Sequence, residues 1–277
     1  MVPRLAGYRR VELKTPAQVS AMRASGLVTA AALEKVKHLL VPGARAREID
    51  AAAEQVIRAA GAAPNFLGYD GYPASICLSL NDVVVHGIPS DQVLRSGDIV
   101  SVDCGAVLDG WHSDAAITVV VGQTDARSEV LVEVTRQALW DGIAAFAKAD
   151  RVGQIGEAIE ASVEAAEPSF GIAREYTGHG IGSAMHMEPD VLNFASRYHG
   201  PKVRPGMVLA IEPIVVEGRI ETSVDSDGWT VRTVDGKRAA HWEHTVARTA
   251  GGIWVLTAAD GGADELAARG ITPAPIA

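Results

Sequence analysis

Two nine-residue stretches of this 277-residue chain share one pattern, and each ends in a carboxylate. Arg95-Ser-Gly-Asp-Ile-Val-Ser-Val-Asp103 aligns without gaps on Arg204-Pro-Gly-Met-Val-Leu-Ala-Ile-Glu212, at an offset of 109. Each copy reads as an Arg-x-Gly turn feeding an apolar strand of the kind buried on both faces. A carboxylate deep in such a strand is costly unless it is paired or bound to a metal. The same anomaly in two halves points both acids at one shared centre.

A second acid joins the first through a hairpin. Asp109-Gly110 is a strong two-residue turn motif between strands expected over 99–108 and 111–121. Such a turn pairs Leu108 with Trp111 and Asp103 with Ala116, so Asp114 shares a face with Asp103 as a diagonal neighbour. Their Cβ atoms would lie roughly 7 Å apart. That spacing is too wide for one shared proton but suits a pair of cations about 3.5–4 Å apart.

Two further residues complete a candidate set. His179 lies in Tyr176-Thr-Gly-His-Gly-Ile-Gly182, where flanking glycines are expected to form a sharply turning loop that leaves the imidazole accessible. Glu243 lies in the strand-like His241-Trp-Glu-His-Thr-Val246. One imidazole and four carboxylates form a hard, oxygen-rich set, better suited to a dinuclear Mn, Fe, Co or Zn site than to a thiolate zinc site. The four acids supply −4 of a net charge of −9, which two divalent cations would cancel.

The elements that must position these groups follow an order of helix, helix, strands, repeated once. Thr15-Pro16-Ala-Gln18 is a helix start, with Thr as N-cap and Gln at N3. Apolar residues at helical spacing follow until Pro42-Gly43. A second helix is expected over 46–60, a loop over 64–73, and strands over 74–80 and 83–85. After the hairpin come helices over 128–147 and 154–166, then strands over 208–216, 229–234, 242–249 and 253–256. The stretch from Pro42-Gly43 to Asp50 weakly matches that from Val152-Gly153 to Glu160, which extends the internal repeat to the helices. The pattern predicts an α+β fold of two related halves in a single domain spanning 1–277, with a short N-terminal arm over 1–14 and a loose Ala/Gly/Pro-rich tail over about 260–277.

Bulk properties narrow the function. Residues 48% apolar supply a real core, and no apolar run is long enough to span a membrane. Two cysteines, Cys77 and Cys104, make no disulfide framework, as expected of a cytoplasmic protein. The acidic charge excludes a basic footprint for DNA.

Taken together, these motifs resemble those of the type I methionine aminopeptidases, in the short bacterial form. The motifs are Gly71-Tyr-Pro-Ala-Ser-Ile-Cys-Leu-Ser-Leu-Asn81, Val85-His-Gly-Ile-Pro89, Val102-Asp-Cys-Gly105, Asp114-Ala-Ala-Ile-Thr118, Gly178-His-Gly-Ile-Gly182, Ala210-Ile-Glu-Pro213 and Trp242-Glu-His-Thr245. The resemblance implies the pita-bread (creatinase/aminopeptidase) fold, with two pseudo-symmetric halves of helices packed on a curved antiparallel sheet. It implies two divalent cations (Co, Mn, Fe or Zn): Asp103 chelates one, His179 and Glu212 bind the other, and Asp114 and Glu243 bridge them. It gives Glu212 a second role as proton carrier, His186 a bond to the substrate carbonyl and oxyanion, and His86 a contact to the scissile amide nitrogen. Phe66, Tyr69, Tyr72, Met185 and Trp229 are implied to surround the methionine side chain.

The activity implied is removal of N-terminal methionine from peptides and nascent chains with a small second residue, by a cytoplasmic monomer. A ribosome contact stays open. Two alternatives stand beside this reading: an X-Pro aminopeptidase or prolidase, and a non-catalytic binding protein of the same fold. Against them weigh the lack of a large N-terminal domain and the presence of all five candidate ligands. Glu212 follows His186 by only 26 positions and Glu243 follows Glu212 by 31, which leaves no room for the helical insertion of type II enzymes.

Overall fold

A computed structural model describes residues 11–276; most of the expected N-terminal arm falls outside them. The first half runs α1 (Pro16–Lys37), α2 (Ala46–Ala59), β1 (Ala63–Pro64), a 3-10 turn (Tyr69–Gly71), β2 (Ile76–Leu80), β3 (Val83–Val85), β4 (Ile99–Leu108) and β5 (Trp111–Val120). The second half runs α3 (Ala126–Phe146), α4 (Gly153–Glu164), β6 (Gly171–Ile172), β7 (Gly178–Gly180), β8 (Met187–Val191), β9 (Val208–Ile211), β10 (Ile214–Val216), β11 (Thr222–Val224), β12 (Val231–Thr233), β13 (Ala239–His241), β14 (Glu243–Arg248), β15 (Ile253–Val255) and α5 (Ala263–Ala267).

Local chemistry sets the first boundaries. The Thr15 side chain accepts from the Gln18 amide while Gln18 Oε1 accepts from the Thr15 amide, and Pro16 occupies the first turn, where its missing N–H is not needed. In the hairpin, Asp109 (φ 50°) and Gly110 (φ 79°) are both left-handed, the backbone a tight two-residue turn requires. Leu108 pairs with Trp111 and Asp103 with Ala116, the register expected.

The main sheet runs β1-β4-β5-β14-β9-β7-β8, with β2 also on β4 and β15 also on β14. Every pair is antiparallel. Its seam is β5 against β14, where Ala116 meets Glu243 and Ala115 meets His244. Helices α1 and α2 bury Leu33, Val36, Ile49 and Ile57 with Val100, Val102 and Cys104 of β4. Helices α3 and α4 bury Leu139, Ile143, Ile155 and Ile159 with Leu209, Ile211 and Val246 of the second half.

The repeat is visible in the backbone. Gly97 and Gly206 both turn with left-handed φ (100° and 91°). The Gly97 amide donates to Val121 O and Val121 N donates to Asp98 O; the Gly206 amide donates to Arg248 O and Arg248 N donates to Met207 O. Each copy of the repeated stretch is thus pinned to the end of its hydrogen-bonded partner strand by the same pair of bonds.

Two expectations are corrected. The strand expected over 208–216 is two strands, broken at Glu212-Pro213, and the facing chain is likewise broken at Trp242 between β13 and β14. Pro213 has no N–H to give a ladder, and the break turns Glu212 out of the sheet. The tail expected to be loose is held down: Leu266 of α5 is fully buried, Arg269 Nε donates to Asp141 Oδ1 at 2.7 Å, and Ala274 N donates to Ile253 O at 2.9 Å. Its apolar anchors, Leu266 and Ile271, pack on the core beside α3, which the small-residue composition conceals.

Candidate metal centre

Five adjacent strands each deliver one side chain to one place. Asp103 sits mid-β4, Asp114 on β5, Glu243 at the start of β14, Glu212 directly after β9 and His179 on β7. Read across the sheet, these strands carry Asp103, Asp114, Glu243, Glu212 and His179 in that order. One cavity of about 630 Å³ is lined by all five, by His86 and His186, and by Phe66, Tyr69, Tyr72, Met185 and Trp229.

The backbone explains how each group is aimed. Asp114 is clamped by Thr245, whose Oγ1 accepts from the Asp114 amide at 3.0 Å and donates to its carbonyl at 2.7 Å. His179 lies on a strand rather than in the expected loop, paired with Ala210 of β9 and Asp190 of β8. Its flanking glycines serve close approach, not a sharp turn. A Cβ on Gly178 would lie 2.4 Å from Ala210 O, and one on Gly180 would lie 2.1 Å from Glu188 O. His179 Nδ1 donates to Gly180 O at 3.0 Å, and since a carbonyl only accepts, the proton is on Nδ1 and the Nε2 lone pair is free.

The electrostatics fit a cation. Asp103 Oδ1, Asp114 Oδ1 and Glu243 Oε1 are buried without a hydrogen-bond partner. Ligand atoms of Asp114, His179 and Glu243 all lie within 4.8 Å of one another, and His179 Nε2 is 3.6 Å from Glu212 Oε1. Burial pushes all four carboxyls above the usual carboxylate range, Asp103 to about 7, and their mutual repulsion raises the other three further. Burial holds His179 down to about 4, so it is a neutral imidazole ready to ligate. Four acids converging with orphaned oxygens, with no Lys or Arg among the described residues bonded to them, favour an added cation.

Beside the carboxylates lies a small apolar cluster of Phe66, Tyr72, Ala74, Cys77 and Met185, with Ile88 and Trp229 packed on it. Tyr72 is anchored by its hydroxyl donating to Gly87 O at 2.9 Å and meets Trp229 edge-on. Tyr69 lines the same cavity but stands apart from this cluster: it is 38% exposed and its hydroxyl bonds to His186 Nδ1 at 2.8 Å. His86 follows β3 in a left-handed conformation (φ 59°) that is strained for a non-glycine residue, with its ring between Tyr176 and Trp229.

Comparison with known proteins decides the family. The family model described as metallopeptidase family M24 matches residues 20–250. The chain belongs to metallopeptidase family M24. Among M24 proteins it is 52% identical to methionine aminopeptidase 1 of Mycobacterium tuberculosis over 259 residues, covering 92% of this chain and 97% of that one. It is 43% identical to methionine aminopeptidase 1 of Bacillus subtilis, covering 88% and 98%. The solved methionine aminopeptidase of Thermotoga maritima superposes on this M24 chain with a TM-score of 0.86 at 40% identity, covering 90% and 99%. Prolidase from Pyrococcus furiosus, at 22% identity and a TM-score of 0.70, shares the fold, but this chain covers only 65% of it. The α+β architecture of this M24 peptidase is therefore the pita-bread fold, and its place within the family is among the methionine aminopeptidases.

Sequence reasoning left out three residues at this M24 site. Thr245 stands in a quoted motif, yet its clamp on Asp114 crosses between halves. Asn193, fully buried, donates to the Glu212 carbonyl at 3.0 Å and had no local motif to mark it. His241 lies behind the carboxylates; its place two residues before Glu243 was the only mark it carried.

Proposed function

We propose that this chain is a metal-dependent aminopeptidase that removes the N-terminal methionine from nascent proteins and peptides, preferring a small second residue, in the cytoplasm. The observation that carries this reading is the convergence of Asp103, Asp114, His179, Glu212 and Glu243 from five adjacent strands beside an apolar cluster that lines the same cavity. Those five residues would hold two divalent cations (Co, Mn, Fe or Zn), which when bound supply an acidified water and a Lewis acid for the peptide carbonyl.

The remaining steps belong to the chain's own groups. Glu212, its side chain still partly open to the cavity at 14% exposure, accepts a proton at its carboxylate and delivers it to the leaving amine. His186, held at Nδ1 by Tyr69, donates from Nε2 to the oxygen of the scissile carbonyl as charge builds there. His86, kept neutral by burial, contacts the scissile amide nitrogen. Phe66, Tyr72, Met185 and Trp229 enclose the methionine side chain and exclude water from it.

The test is hydrolysis of Met-Gly and Met-Ala peptides by protein stripped and then reloaded with each cation, with X-Pro peptides as the control and elemental analysis of the active form. Turnover of the methionyl peptides alone, lost in His179→Ala and Glu212→Ala proteins that remain folded, is expected. Turnover of X-Pro peptides instead, or full activity in either variant, overturns the assignment.

A further inference from the structure

His241 ends β13 immediately before the break in the sheet, and it is 2% exposed. Its backbone is fixed by the other half of the molecule. The amide donates to Ser101 Oγ at 3.2 Å and to Thr118 Oγ1 at 3.0 Å, and Thr118 Oγ1 donates to the His241 carbonyl at 2.6 Å. The backbone that carries the ring is therefore held by side chains of β4 and β5. Its Nε2 has no hydrogen-bond partner, an expensive state for a buried imidazole nitrogen.

What that nitrogen faces is specific. Nε2 lies 3.8 Å from Glu212 Oε2 and 3.9 Å from Glu243 Oε2. Glu212 Oε1, by contrast, faces His179. His241 is not among the residues that line the cavity, so it approaches the two glutamates from behind. We propose that His241 is a positioning residue: its Nε2–H is the shared donor to the outer oxygens of Glu212 and Glu243, and it sets the spacing of these two carboxylates for cation binding. This rests on the proposed dinuclear site.

Two geometric observations favour this role over plain packing. The nitrogen sits almost equidistant from two carboxylates on different strands, which a donor serving one partner would not. An approach of about 1 Å brings either oxygen into bonding distance. Hydrogen-bond donors behind ligating carboxylates fix their orientation, and losing one typically costs about 10–100-fold in metal affinity.

The test is titration of chelator-stripped protein with Mn(II), followed by calorimetry, for wild type, His241→Leu and His241→Gln. Leu fills the space without a donor; Gln restores an N–H. The expected result is two Mn(II) per wild-type chain, affinity weakened about 10–100-fold in H241L, and most of it recovered in H241Q. The stripped H241L protein should melt no lower than stripped wild type, because it loses an unpaired buried donor, and this separates a positioning role from a folding defect. Unchanged Mn(II) affinity in H241L overturns the proposal, as does an H241Q protein as weak as H241L with an intact melt, or an H241L protein that melts well below wild type. If wild type itself fails to take up two Mn(II), the dinuclear reading falls instead, and this inference with it.

Discussion

Tyr69 Oη and His186 Nδ1 lie 2.8 Å apart, with the two rings meeting edge-on at 5.4 Å between centroids. A phenol that donates to Nδ1 leaves the imidazole proton on Nε2, the atom that serves a substrate carbonyl. Tyr69 is set apart from the apolar cluster of Phe66, Tyr72 and Met185, so its hydroxyl is the part that matters. Tyr69→Phe should lower kcat about tenfold, the worth of roughly one hydrogen bond, while KM for methionyl peptides stays put. A raised KM with unchanged kcat would show that Tyr69 is pocket wall instead.

Chelation should lower the melting temperature, and the loss should grow with pH. Without cations the folded-state pKa values of the four site carboxyls are raised, Asp103 to about 7. Raised acids favour folding fully below the unfolded carboxylate range near 4 and lose that contribution as pH climbs through the folded values. Bound cations replace the missing protons. Melting of Mn-loaded and stripped protein from pH 5 to 8 should therefore show a widening gap; a gap that is constant or narrows contradicts the assignment.

Gly180→Ala should destabilise the protein by about 1–3 kcal/mol, the usual range for forced overpacking. The added Cβ would sit 2.1 Å from Glu188 O, a backbone atom that cannot step aside. The same variant should also weaken Mn(II) binding, because His179 is displaced with the strand. Calorimetric melting and metal titration read both effects, and a variant matching wild type in each would refute the close-approach account of the Gly-His-Gly run.

His86 should titrate far below an ordinary histidine, with a midpoint of about 4, because it is buried beside Tyr176 and Trp229. A depressed histidine disfavours folding as pH falls: the unfolded ring takes a proton near 6.5, the folded one only near 4, and stability drains between the two. Ring resonances of His86 in a pH series should move only below about pH 5, and Trp229→Ala should bring the midpoint back toward 6.5. A wild-type midpoint near 6.5 would mean that the pocket is wetter than the packing implies.

Much of the site was legible along the chain. Asp109-Gly110 fixed the hairpin register because a two-residue turn admits one pairing, and that pairing placed Asp103 beside Asp114. The duplicated turn-and-strand stretch marked Asp103 and Glu212, because a carboxylate in an apolar strand needs a reason. The start of α1 followed from Thr15, Pro16 and Gln18, which interact within one turn. Tertiary structure decided the rest. Strands β7 and β8 are too short to show a period; β7 exists because β9 offers an edge to pair with, and β8 because β7 then offers one. The break at Glu212-Pro213 and the packing of the tail depend on neighbours far away in sequence. The role of His241 depends on two glutamates that reach it from separate strands. Local chemistry is written in adjacent residues; which groups share a buried site is set by burial and strand order, and those arise only when distant segments meet.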